Sequence, residues 1–359
     1  MASGRILNGA IFSAINTETA IFTLTGLARL RLPPTCLGAK IWQTLGRAFS
    51  ISRVFNIMQI YSVEMRFVYD VRDASGADFI FGFPVAADKQ QVILDEAMKI
   101  NQPVEYKLPA RLRRGNRVFH LHADQGNFEL LYNSTFSLTQ RVFQSREYNE
   151  VPIGVLPSST LPYLYPSRYC QSDKLAAISY RNFGKSEPGL QRIAAVRAWV
   201  RNYIAYYPAA GATTTSALDT MIDRAGGGRE IAHLTISFLR ALNIPSRLVT
   251  GISFTEGQSQ PMPTFHACVE AFLSGGWVLL DPISTGDTKN FIRIGRGRDA
   301  ADTAYATIFG AVISLQPTVS MERDSSNLTQ LGKSPPPGNP NCKQLPRYSG
   351  ARHPAELRF

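Results

Sequence analysis

Cysteine is scarce in this chain. Cys36, Cys170, Cys268 and Cys342 are the only four among 359 residues. None belongs to a CxxC pair or has a zinc-finger spacing, so the spacing supports neither a disulfide framework nor a metal centre, and a reducing compartment fits. Long apolar runs are missing too. Ile6 to Leu30 is moderately apolar, but Asn8, Asn16, Thr17, Glu18 and Thr19 interrupt it. A signal peptide needs an unbroken apolar run with a small-residue cleavage site, and a membrane span needs about 20 apolar residues. No such signal is clear, and Glu18 argues against a span, so a cytoplasmic protein with no membrane partner is expected. Acidic residues are outnumbered, 27 to 38, for a net charge of +11. The ends carry most of that excess: +5 in residues 1–57 and +3 in residues 321–359. The body keeps only about +3, too little for a basic binding face, and no nucleic-acid partner is expected. With 44% hydrophobic and 18% charged residues the chain is an ordinary globular one.

The stretch from Arg224 to Asp281 organises what is present. It opens on three glycines, Gly226 to Gly228, and continues with Ile231, Leu234, Phe238 and Leu242 at the spacing of one helical face. Asn243 and Pro245 end that helix. Arg247 to Phe254, Phe265 to Leu273 and Trp277 to Leu280 read as strands, the last two joined at Gly275-Gly276. The glycine run is not a phosphate loop, because no strand precedes it and no Gly-Lys-Ser/Thr follows.

This order of motifs resembles the bacterial transglutaminase-like superfamily, relatives of the papain-like cysteine proteases. Members open a helix with Gly-Val-Cys-Arg-Asp-Phe-Ala-His-Leu, continue into Arg-Ala-Leu-Asn-Ile-Pro-Ala-Arg, then carry a His-Ala-Trp strand and a Trp-x-x-x-Asp strand. Arg229, Ala232, His233, Leu234, Arg240 to Pro245, Arg247, His266, Ala267, Glu270, Trp277 and Asp281 match. The resemblance implies a Cys-His-Asp triad in which a thiolate at the helix N-terminus attacks an amide carbonyl, His shuttles the proton and Asp orients the His. His266 and Asp281 occupy two of those positions. The third, the nucleophile, is Gly228, which has no atom that can attack. A plain hairpin at Gly275-Gly276 does not set residues 266 and 281 opposite each other, so a bulge or bend is expected there. No cofactor and no metal ligand set are expected; family members of this type generally need no cofactor.

Other groups carry chemistry of their own. Cys268 shares a strand face with His266 but lacks the helix N-terminus. Ser237 lies more than two helical turns from Gly228. His233 reads as buried or capping, and Cys170 as a structural thiol. His120 and His122 share an exposed strand face without a third ligand. Arg293, Arg296 and Arg298 read as paired with acidic neighbours or lying in solvent, with contact to an acidic partner as the alternative.

The expected fold class is α+β: an antiparallel β-sandwich over 58–150, then a papain-like domain over 151–320 with a central helix packed on an antiparallel sheet. Candidate strands are Tyr61 to Phe67, Asp78 to Val85, Gln91 to Ile100, Asn116 to His122 and Asn127 to Leu138, separated by turn residues. Pro152 to Pro166 reads as a surface linker, and Ser216 as an N-cap. Residues 1–57 read as a poorly ordered extension ahead of Met58, with an amphipathic appendage or a targeting segment as alternatives. Residues 321–359, rich in Ser, Asn and Pro, read as a disordered basic tail. Three functional readings remain open. One is a pseudoenzyme with a degenerate triad that binds peptide or protein amides. The second is an active thiol amidase, peptidase or glutamine acyltransferase whose nucleophile is altered in this copy. The third is catalysis by unrecognised chemistry.

Overall fold

The structure is a computed structural model, and it describes residues 57–106, 110–111, 116–140, 148–208, 213–254, 263–284 and 288–324. The expected extension before Ile57, the tail beyond Asp324, Cys36 and Cys342 lie outside the described residues.

Strict alternation builds the first half. β1 (Ile57–Val71) turns Tyr61, Val63, Met65, Phe67, Tyr69 and Val71 into a core and leaves Ser62, Glu64 and Arg66 outside, the period of a sheet with one dry face. β2 (Ala77–Phe81), β3 (Gln91–Ile100), β4 (Ala110–Arg111), β5 (Arg117–Ala123) and β6 (Gly126–Gln140) follow. Phe119 and Leu121 point inward and His120 and His122 outward, as their alternation predicts. His122 is held by Asp78, Nδ1 to Oδ1 2.8 Å. The core is aromatic, with Phe67 against Phe83 at 4.3 Å and Phe79 against Phe81 at 5.3 Å between ring centroids.

Pro152 to Pro166 is more structured than a plain linker. It winds into 3-10 turns at Ile153–Val155 and Ser158–Tyr163, where prolines cost no ladder hydrogen bond. Then come α1 (Ala176–Phe183), α2 (Leu190–Tyr203), β7 (Ala205–Tyr206), α3 (Ala217–Asp223), β8 (Ala225–Gly226) and α4 (Gly228–Ala241). Ser216 caps α3 in a reciprocal box with Asp219. Asn243, at φ 62°, turns the chain out of α4. Every residue of α4 from Glu230 to Arg240 is buried, well beyond the single apolar stripe that the sequence predicts. The polar positions tolerate this because their donors are used internally. Thr235 and Ser237 bond the carbonyls of Ile231 and His233, and Arg240 bonds the carbonyls of Ser246, Tyr165 and Arg298.

β9 (Ser246–Ser253), β10 (Thr264–Leu273), β11 (Gly276–Leu280) and β12 (Phe291–Gly297) form an antiparallel sheet in the order β11-β10-β9-β12. Ala267, Val269, Ala271 and Leu273 share a core with Ile231, Leu234 and Phe238 of α4. The chain then returns to the sandwich through β13 (Ala306–Phe309), β14 (Val312–Ser314) and β15 (Thr318–Asp324). β13 joins β2, and both β14 and β15 pair with β1. This differs from the expected boundary at 320/321. Met321 is buried and lies opposite Val63, so residues 306–324 complete the sandwich. The inward positions Val319 and Met321 make a pattern too short to read beside a Ser- and Pro-rich tail.

Side chains of the sandwich close the free edge of β12. The Gln91 amide accepts the Arg293 N–H at 2.7 Å and donates to the Arg293 carbonyl at 2.9 Å. Asn116 does the same for Arg296, at 2.8 and 2.9 Å. Two amides thus take the place of a neighbouring strand.

Candidate active site

The start of α4 is shaped by its glycines in different ways. A β-carbon at Gly226 would meet Glu230 Cβ at 2.8 Å, so close packing requires glycine there. At Gly228 the same atom would meet only Ile283 Cδ1, at 3.2 Å, and φ is not in the left-handed region. Packing therefore does not demand glycine at the first residue of this helix. Gly227, the N-cap, has extended backbone and no side chain to cap with. The first intrahelical bond runs from Ile231 N–H to the Gly227 carbonyl. The N–H groups ahead of it give this half-buried helix start a partial positive charge.

His266 is on β10, and Asp281 follows β11 directly. His266 Nε2 is 2.9 Å from Asp281 Oδ2. The other carboxylate oxygen, Oδ1, accepts the N–H of Ile283 at 2.8 Å and of Ser284 at 3.1 Å. Burial raises the Asp281 pKa, but the hydrogen bond and charge of His266, with the two backbone donors, outweigh it and hold the carboxyl below its usual range. Of the expected bulge or bend, the β10–β11 ladder shows no bulge and the chain bends just beyond it. The hairpin turns one residue earlier than predicted, so that Leu273 lies opposite Gly276 and Val269 opposite Leu280 in a regular ladder. Gly276, at φ 109°, permits this turn, and a β-carbon at Gly275 would meet Tyr148 Cε1 at 2.3 Å. Continued by one step, the register sets Asp281 across from Cys268, one pleat repeat from His266. The chain then bends at Pro282–Ile283. Ile283 is the residue facing Gly228, so the segment that carries Asp281 also borders the helix start.

Cys268 is 1% exposed, among Val249, Phe291 and Leu279. Burial pushes its thiol well above the ordinary range, the Asp281 charge adds to this, and Arg293 only partly opposes it. Cys170 is buried as well, its thiol pushed up to about 12 mainly by burial. Neither is a ready thiolate.

Residues 177–282 match the family model of the transglutaminase-like superfamily. The crystal structure of a proposed cysteine protease from Cytophaga hutchinsonii is similar to this chain at 33% identity and a TM-score of 0.69, over 77% of this chain and 95% of that one. The chain belongs to the transglutaminase-like superfamily. A curated relative, the uncharacterized protein ML0607 of Mycobacterium leprae, is 32% identical over 147 residues, 39% of this chain and 52% of that protein, so the match spans about half the relative's length.

In this transglutaminase-like chain the remaining sequence candidates are dispersed. Ser237 bonds the His233 carbonyl inside α4. His233 is fully buried, its ring stacked on Tyr169 at 5.2 Å and its Nε2 accepting the Ala300 N–H at 3.1 Å. Arg298 pairs with Asp302. Arg293 and Arg296, with Arg247, surround the buried Glu270, and Arg296 also reaches Asp88 of the sandwich. Glu270 stands out in the sequence as a family match, but the cluster around it does not. Its members come from three strands and a distant loop, and no local spacing links them. Among the described residues no helix is long and apolar enough to cross a membrane.

Proposed function

We propose that this transglutaminase-like chain binds peptide or protein amides at the start of α4 without forming an acyl-enzyme, as a pseudoenzyme with a degenerate triad. The observation that carries this reading is Gly228, which offers no nucleophilic atom at the helix start although a β-carbon there would meet only the tip of Ile283. The buried, protonated thiol of Cys268 makes it a poor replacement. His266, Asp281 and the helix N-terminus would serve as polar contacts to a bound carbonyl or amide. The test is incubation of the chain with a glutamine-containing peptide and a labelled amine. No amine incorporation and no peptide hydrolysis is the expected result. Turnover that iodoacetamide abolishes would refute the proposal.

A second reading has one observation in its favour: a β-carbon at Gly228 would press only on Ile283 Cδ1, the far end of a side chain. On this reading the chain is a copy of an active thiol acyltransferase, amidase or peptidase that differs at its nucleophile. Gly228→Cys is expected to gain thiol-dependent amide turnover of at least about a hundredfold over background, the scale contributed by a positioned base alone. A folded Gly228→Cys protein without activity would mean that the rest of the site is degenerate too.

A further inference from the structure

The strand register brings together three donors of different chemistry. Cys268 follows His266 by two on β10, so both side chains leave the same face. Asp281 extends β11 to the position across from Cys268. A ring nitrogen of His266, Sγ of Cys268 and a carboxylate oxygen of Asp281 all lie within 4.8 Å of one another. We propose that these three side chains hold a zinc-class divalent cation, with a fourth coordination position open to solvent.

The donor set selects the cation. Thiolate, imidazole and carboxylate together suit zinc and not calcium or magnesium, which take oxygen donors. Zinc bonds of about 2.0–2.3 Å place tetrahedral ligands roughly 3.2–3.8 Å apart, so side-chain shifts of about 1 Å close this cluster. The carboxylate is already aimed. Asp281 Oδ1 is fixed by the N–H groups of Ile283 and Ser284, while Oδ2 faces the cluster beside His266, the outer-shell support that metal ligands require. Val249, Phe291 and Leu279 pack around the thiol and keep its side of the site dry. The His266 side chain, 17% exposed, marks the wet side where a water completes the coordination. Three protein ligands and one water make the open form of zinc site.

The charges and protons balance. One thiolate and one carboxylate neutralise the dication. The thiol proton leaves to solvent, and the His266 ring nitrogen beside Asp281 gives up that hydrogen bond and offers its lone pair to the cation. This proposal goes beyond amide binding and does not depend on it, because it is tested without peptide.

The chelator-treated, dialysed chain is titrated with zinc by calorimetry and with cobalt by absorption. One cation per chain is expected, with release of about one proton and a thiolate-to-cobalt charge-transfer band. Cys268→Ser and His266→Ala should each weaken binding more than about a hundredfold, beyond the effect of losing an outer-shell partner. His122→Ala should leave it unchanged. If Cys268→Ser does not fold, Asp281→Asn, which keeps its size, decides in the same assay. No saturable binding by the parent chain, or equal binding by the parent and these ligand variants, would overturn the site.

Discussion

A single imidazole illustrates how burial turns into pH dependence. His233 is fully buried in α4, Nε2 takes the Ala300 N–H, and Nδ1 has no hydrogen-bond partner. Burial drives its pKa from 6.5 down to about 3. Asp299 opposes this in part, and Arg229 and Arg240 add to it. The folded value is the lower one. The stability it reflects is therefore fully present above about pH 6.5 and is lost as pH falls toward about 3, at up to about 1.4 kcal/mol per pH unit. His233→Phe keeps a ring against Tyr169 and removes the titration. Its urea midpoint should lie below the parent's at about pH 7 but fall less steeply toward about pH 4. Parallel pH profiles of the two proteins would show that His233 does not set the acid limit.

One carboxylate cross-links three strands of the β11-β10-β9-β12 sheet. Glu270 on β10 takes Arg247 of β9 at 2.7 Å and Arg293 of β12 at 3.2 Å, with Arg296 of β12 at 3.7 Å. Burial opposes its ionisation, yet the three guanidinium groups keep its pKa below the usual range. Glu270→Gln removes the charge but not the volume and leaves buried cations short of an anion. A loss of about 3–5 kcal/mol in urea unfolding is expected. A loss under about 1 kcal/mol would mean that Asp88 and solvent suffice for the arginines. The same elements mark what the sequence discloses. The type and approximate bounds of α4, β9, β10 and β11 were readable, since their periodicity and stop signals are local. The burial of α4 all round from Glu230 to Arg240 was not, because Thr235, Ser237 and Arg240 look solvent-facing until their acceptors are known. The contact between His266 and Asp281 depended on where the hairpin turns. Gly275-Gly276 offered two adjacent positions, and Tyr148, more than a hundred residues earlier, packs where only glycine fits at 275. A choice made by a distant ring is invisible in a local pattern, and it also moved Asp281 across from Cys268.

At the scale of the molecule, the sandwich and the α4 domain are not independent beads. Ile252, Phe254, Ile292 and Ile294 belong to the same apolar core as Tyr61, Phe67 and Phe136. Gln91, Asn116 and Asp88 grip β12 from the sandwich side. Ending the chain before Ala306 would remove three strands and bare one side of β1 and of β2. Such a protein should bind a hydrophobic dye and lose cooperative thermal unfolding, whereas a chain ending after Asp324 should melt like the parent. Equal melting of the two would mean that the returning strands are ornamental. The return also sets a clock on biosynthesis. β15 follows β1 by about 250 residues, which at about 5–20 residues per second is on the order of ten to fifty seconds on the ribosome. For that interval one backbone edge of β1 stays unzipped, an open template for any other extended segment, until the last strand arrives.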